Sequence, residues 1–202
     1  MESILNLMKC RRGVRQFADR AVPEKVLSKI LEAAIYAPSG VGGAHILVVD
    51  DQELRKKIRS ICEIGERQWV DSQPLSVRER IVAQPNFSYS LEFLETAPAL
   101  LIVSTRPRDP ERPYAVECAF LAVGYMLVMI EGLGLGTITY TPSVTDEKQS
   151  KILEELLGLP EGEKIQVILP VGYPESKPKH DTGKAQYSVF HNRFGEPFTL
   201  AT

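Results

Sequence analysis

Gly132-Leu133-Gly134-Leu135-Gly136-Thr137 is the stretch on which the fold turns. Its glycines invite comparison with a dinucleotide-binding turn. That turn runs strand, then Gly-x-Gly-x-x-Gly, then helix. Here the order is reversed. A helix expected over residues 114–131 comes first, apolar on most faces and so expected in the centre of the molecule. A strand expected over Gly136–Tyr140 follows, with Thr137 and Thr139 alternating on one face. The last glycine also falls one position early, with Thr137 in its place. A Rossmann site is excluded, and the glycines are read as the end of a helix and the start of a strand.

Apolar spacing on either side predicts alternating helices and strands. Ile4, Leu5, Leu7 and Met8 suggest a short first helix. Pro23 suits a first helical turn, and Val26, Leu27, Ile30, Leu31, Ala34 and Ile35 recur at three and four, up to a stop at Pro38-Ser39-Gly40. Ile46–Val49 is a short strand. Asp50 or Asp51 can cap a helix through Leu54, Ile58 and Ile61. Residues 66–90 have weak periodicity and read as a lid-like excursion. Ala99–Ser104 is a fully buried strand, Ser143-Val144-Thr145-Asp146 opens a helix through Leu157, and Lys164–Val171 is the last clear strand. The expected class is α+β, with a central mixed sheet wrapped by helices in one domain over 1–202. Val189, Phe190, Phe194, Phe198 and Leu200 make residues 175–202 an apolar C-terminal arm, expected to pack on something, such as a second subunit.

The chain has 202 residues, net charge −2 and 44% apolar content. That balance creates no global field for nucleic acid or an anionic membrane, and the longest apolar stretch, 119–130, is short for a bilayer span. Cys10, Cys62 and Cys118 are odd in number and lack a C-x-x-C, so neither a disulfide framework nor a zinc site is expected. The three histidines have neither i, i+4 spacing nor acidic partners at metal spacing, so no metal is expected. No Gly-x-Ser-x-Gly elbow supports a serine triad. No basic stretch followed by an apolar one opens the chain, and a cytoplasmic protein is expected.

Three segments remain as candidates. Arg11-Arg12-Gly13-Val14-Arg15 places three guanidiniums around a bare backbone, a combination that suits a phosphate or simply a solvated basic turn. Ala37-Pro38-Ser39-Gly40-Val41-Gly42-Gly43-Ala44 allows close approach to a flat ligand or is a flexible loop. Thr139-Tyr140-Thr141-Pro142 offers hydroxyls on one strand face, or threonine chosen for its β-propensity.

Taken together, in this order and spacing, these segments resemble the nitroreductase superfamily of FMN flavoproteins. Arg-Arg-Gly-Val-Arg-Gln-Phe resembles the family's opening Arg-Arg-Ser-x-Arg-x-Phe, Ala-Pro-Ser-Gly its second loop, and Gly-Leu-Gly-Thr with Val-Gly-Tyr-Pro its second half. Thr96-Ala97-Pro98, Thr139-Tyr140-Thr141-Pro142 and Leu169-Pro170-Val171-Gly172-Tyr173-Pro174 are most similar to the iodotyrosine deiodinase-like branch. The resemblance implies a homodimer with FMN at each interface site and the C-terminal arm exchanged. It implies that Arg11, Arg12 and Gly13 hold the phosphate, that Arg15 meets the pyrimidine edge, and that Pro38, Ser39 and Gly40 cover the flavin from the partner. It places Thr139 and Thr141 near flavin N5, with Tyr140 between them, and a late lysine, Lys184 with Lys179 behind it, on the phosphate. Val41 and Glu66 would meet the substrate. The deiodinases clamp the amino-acid part of halotyrosine with a Glu, a Tyr and a Lys. Glu66 aligns with the Glu, whereas the other two positions fall near Val70 and Leu91, which cannot make those bonds.

The expected activity is transfer of electrons from NAD(P)H through FMN to a small flat acceptor such as a nitroaromatic or quinone. Reductive dehalogenation of a halogenated tyrosine or phenol is the alternative, and a non-catalytic flavin-binding sensor is the third reading.

Overall fold

Strand β2 (Ala99–Thr105) is buried along its whole length, and the rest of the molecule is arranged about it. The computed structural model describes residues 4–39, 43–84, 87–107, 110–141, 147–176, 188–190 and 192–196. In chain order these form α1 (Ile4–Cys10), α2 (Glu24–Ile35), β1 (Ala44–Val49), α3 (Gln52–Ser72), α4 (Leu75–Val82), α5 (Phe93–Thr96), β2, α6 (Ala115–Gly132), β3 (Gly136–Thr137), α7 (Glu147–Leu156) and β4 (Lys164–Gly172). The sheet order is β1-β2-β4-β3. Every pair of these strands is antiparallel, so the expected mixed sheet is corrected: the parallel element is an isolated bridge from Gly13 to Thr137.

Helices cover both faces, which is why an antiparallel β2 reads as a continuous apolar run. Leu100 and Ile102 face one core, with Ile58 and Cys62 of α3 and Leu153 of α7. Ala99, Leu101 and Val103 face the other, with Ile30 of α2 and Ala119, Val123 and Met126 of α6. The β2–β4 register shifts between Val103 and Ser104, which pair with Val167 and Ile165. The extra residue, Gln166, reverses the alternation, so Ile165 and Ile168 share a face.

The opening stretch behaves as its order predicts. Leu135 N–H donates to Ile130 O at 3.0 Å and Gly134 N–H to Glu131 O at 3.0 Å, a Schellman end with Gly134 at φ 71°. Gly136 serves a different need. A Cβ there would lie 2.5 Å from Val14 Cγ2, so its bare backbone lets the N-terminal segment lie against the sheet. Gly136→Ala is expected to cost about 1–3 kcal/mol as overpacking, read as a lowered denaturant midpoint.

β3 is shorter than the expected Gly136–Tyr140. Gly136 pairs with Gly172 and Tyr140 bridges Ile168 in the same register. The residue that would complete the ladder opposite Ile138 is Pro170, which has no N–H to donate. The chain is thereby released at Ile138–Thr139 and recaptured at Tyr140.

Three other expectations change. α3 runs on to Ser72 from an Asp51 cap whose Oδ1 accepts the Leu54 N–H at 2.7 Å, so residues 66–72 are helix and α4 follows within the expected excursion. By length and composition α6 is enough to cross a membrane, unlike the shorter stretch expected. Its buried side packs on the sheet and α2, which makes it a core helix. It is not enclosed within the described residues, since Phe120, Leu121 and Tyr125 are 46%, 47% and 45% exposed. In the arm, the Phe190 and Phe194 rings lie 4.6 Å apart.

Candidate active site

Where β3 loosens, a cleft of about 360 Å³ opens between the sheet edge and α3. One side is the segment Ile138–Thr141 with Arg15. The other is Glu66 and Trp69 of α3 with Phe87, Ser88, Ser90, Leu91 and Phe93.

Alternation sets the first side. Thr139 is exposed and Thr141 partly so, both lining the cleft, while Tyr140 between them turns inward. The Tyr140 ring stacks edge-on against Phe93, its hydroxyl donates to Cys62 O at 3.4 Å, and its N–H and C=O both pair with Ile168. Tyr140, expected among the cofactor-binding residues, is thus a largely buried part of the cleft floor that fixes its neighbours. Burial pushes the Cys62 thiol up to about 12, so it stays protonated beneath the cleft.

The arginine segment is stitched to the same edge. Val14 N–H donates to Thr137 O at 3.0 Å, Ala18 N–H to Tyr173 O at 2.8 Å and Glu175 N–H to Gln16 O at 3.1 Å. Phe17 bridges Pro174. This delivers Arg15 to the cleft. Partial burial lowers its pKa, and among the described residues its guanidinium has no carboxylate partner. Arg11 likewise has no side-chain partner among the described residues. Arg12 differs: its Nη1 donates to Lys9 O at 2.7 Å and Arg11 O at 2.9 Å, so part of its guanidinium is spent closing the end of α1. A Cβ on Gly13 would lie 3.7 Å from both Arg15 Nη1 and Ile138 Cδ1, so bare backbone adjoins the cleft.

On the second side α3 presents Glu66 and Trp69 three residues apart, one face of a helix. Burial raises the Glu66 pKa, and no partner relieves it among the described residues. Such a group binds its proton more tightly folded than unfolded, so its contribution to stability is lost as pH rises through the raised value. Glu66→Gln is accordingly expected to raise Tm near pH 7 and to leave it unchanged at about pH 3, below the ordinary carboxylate range.

Other residues named from sequence lie elsewhere. Val70 is fully buried and faces away. Ser39 lies on another surface, in a depression with Ala34, Ile35, Ala37, Cys118 and Ala122 between α2 and α6, and Pro38 precedes it. Gly40, Val41 and Lys184 fall outside the described residues. Trp69, Phe87, Ser88, Ser90 and Phe93 were not singled out from sequence. The polar stretch Glu66-Arg67-Gln68 masks the continuation of α3, and only the spacing of Glu66 and Trp69 signals a shared face.

Fold and cleft together define a sheet covered by helices on both faces, with a small, mostly apolar site at its loosened edge that bears, among the described residues, one cation without a carboxylate partner. The chain belongs to the nitroreductase family, whose model matches residues 8–173. It is 34% identical over 195 residues to the iodotyrosine deiodinase of Thermotoga neapolitana, covering 94% of this chain and 100% of that one. A crystal structure of oxidized iodotyrosine deiodinase bound to FMN and 3-iodo-L-tyrosine superposes with TM-score 0.81 at 33% identity, covering 95% of this chain and 100% of that chain. An FMN-dependent nitroreductase from Clostridium difficile shares the fold, with TM-score 0.73 at 24% identity and 94% and 99% coverage.

Proposed function

We propose that this chain binds FMN and reductively removes halide from a halogenated phenol. The observation that supports this best is full-length similarity to a deiodinase combined with the convergence of Arg15, Thr139 and Thr141 on one cleft. It favours dehalogenation over NAD(P)H-driven reduction of a nitroaromatic or quinone, the reading expected first from sequence.

The residues present fit a flavin. An uncompensated, partly desolvated guanidinium suits the electron-rich edge of a flat heterocycle, and Ile138 offers an apolar surface beside it. Arg11 and the bare Gly13 backbone would hold the phosphate, with Arg12 beside them closing the end of α1. FMN, when bound, supplies the electrons; the protein supplies position and electrostatics. Thr139 and Thr141 would donate hydrogen bonds at the reacting edge of the ring. The overall change replaces carbon–halogen by carbon–hydrogen, consuming two electrons and one proton and releasing halide. NAD(P)H, or another two-electron donor, would restore the reduced cofactor.

The exposed apolar face of α6 and the position of Ser39 beside it support a homodimer in which each partner covers the other's site. Light scattering should give the mass of two chains.

The test is single turnover. Protein reconstituted with FMN and reduced anaerobically with dithionite should convert 2-iodophenol to phenol, with one iodide per flavin. Thr139→Ala should slow this roughly fivefold, the scale of one hydrogen bond of about 1 kcal/mol. A protein that binds no FMN refutes the cofactor assignment. One that holds FMN and releases no halide, yet reduces nitrobenzene with NAD(P)H, returns the reading to a nitroreductase.

A further inference from the structure

The wall opposite Thr139 and Thr141 is fastened, and the way it is fastened bears on what can enter. Glu63 Oε1 accepts the Leu91 N–H at 2.8 Å and the Arg59 Nε–H at 2.7 Å. Arg59 also donates to Glu95 Oε2 at 2.9 Å and to Ser90 Oγ at 3.2 Å. Segment 90–95 is thus tied to α3 by an ion-pair network that the cleft itself does not use. The tie holds Leu91 in the wall, where its side chain is 5% exposed.

The ionisable side chains lining the cleft, among the described residues, are Arg15, Glu66 and the phenol of Tyr140. Tyr140 is occupied with Cys62. The reading above, on which this step rests, commits Arg15 to the flavin. What remains for the outer part of a substrate is the Glu66 carboxylate, the apolar Leu91 and Phe87, and the neutral donors Gln84 and Ser88. A carboxylate placed there would meet a like charge and lose its hydration with no further cation among the described lining residues in return. A neutral or cationic tail would not.

We infer that Leu91 and Glu66 determine specificity, and that the substrate is a phenol whose ring tail is uncharged or bears an ammonium, and not one that bears a carboxylate. This separates the chain from its iodotyrosine-binding relatives by the substrate's tail, at the same reacting ring.

Trp69 is the one tryptophan of the chain and lines the cleft, so its emission reports occupancy without turnover. FMN-loaded protein would be titrated with four 2-iodophenols that differ in their 4-substituent: ethyl, 2-aminoethyl, 2-carboxyethyl and the alanyl group of 3-iodotyrosine. Ethyl and aminoethyl are expected to bind at least tenfold tighter than the two carboxylates. Glu66→Gln should improve carboxyethyl binding severalfold and remove any advantage of aminoethyl over ethyl. Leu91→Lys should improve both carboxylates at least tenfold, with Leu91→Gln, which adds a donor without charge, giving a smaller gain in the same direction. Wild-type protein that binds 3-iodotyrosine as tightly as the ethyl compound overturns the inference. So do Leu91 variants that stay folded and leave the ratio unchanged. If the protein holds FMN and none of the four binds, the halophenol reading falls together with the inference.

Discussion

Protein carrying Arg11→Ala and Arg15→Ala is expected to leave purification colourless. Each guanidinium would contribute a charge-assisted hydrogen bond to FMN, and Arg11→Ala alone should weaken binding by about 1.5–3 kcal/mol. The pair together should cost about 3–6 kcal/mol, two to four decades in Kd. Neither side chain has a protein partner among the described residues, so circular dichroism and Tm should be nearly unchanged. Arg12→Ala gives the contrast. Its Nη1 closes the carbonyls of Lys9 and Arg11, so its loss should lower Tm as well as affinity. Flavin titration monitored by quenching of FMN fluorescence separates the two outcomes. An unchanged Kd in the double variant would refute the phosphate and pyrimidine assignments.

The largest loss of stability is expected at Arg55. This α3 residue is 9% exposed and donates to the carbonyls of Asp50, Glu95 and Pro98. One side chain therefore joins the exit of β1, the helix α5 and the entry to β2. Arg55→Met keeps much of the stem and strands three acceptors, each having lost a bond to a charged donor. A cost of about 3–5 kcal/mol is expected, or roughly 6–20 °C in Tm for a chain of this size. Arg55→Lys should fall between, because an ammonium cannot reach three divergent carbonyls as a planar guanidinium does. Thermal melts of the three proteins decide it, and a loss below about 1 kcal/mol for Arg55→Met would overturn the assignment.

Arg55 also shows where sequence stops being informative. Nothing in its surroundings in the chain distinguishes it from the exposed Lys56 and Lys57 beside it, because two of its three acceptors, the carbonyls of Glu95 and Pro98, lie about forty residues further on. Patterned features read more truly. The Gly132–Gly136 order placed the end of α6 and the start of β3, and the apolar run at β2 was legible within one residue. The arginine segment and the threonine pair were legible as chemistry, and alternation could have told that Tyr140 turns inward between its neighbours. The cleft's second wall was not legible. Phe87, Ser88 and Leu91 lie in irregular chain, where periodicity carries no message, and Ser90 and Leu91 are held by Arg59 and Glu63 more than twenty residues earlier. The shortening of β3 has a cause visible only in pairing, since Pro170 matters through the strand it faces.

The stitching of residues 13–18 to residues 137 and 173–175 has a consequence for how the molecule is made. Contacts that span most of the chain close late, because each requires a large loop to be ordered first. During synthesis the arginines emerge long before Tyr173, and the sheet order means that β3 has no strand neighbour until β4 arrives. The sheet edge that receives the arginines therefore does not exist on the ribosome until β4 has been made. A nascent chain cut short before residue 164 would carry both the arginines and the threonines and still have no cleft to put them in.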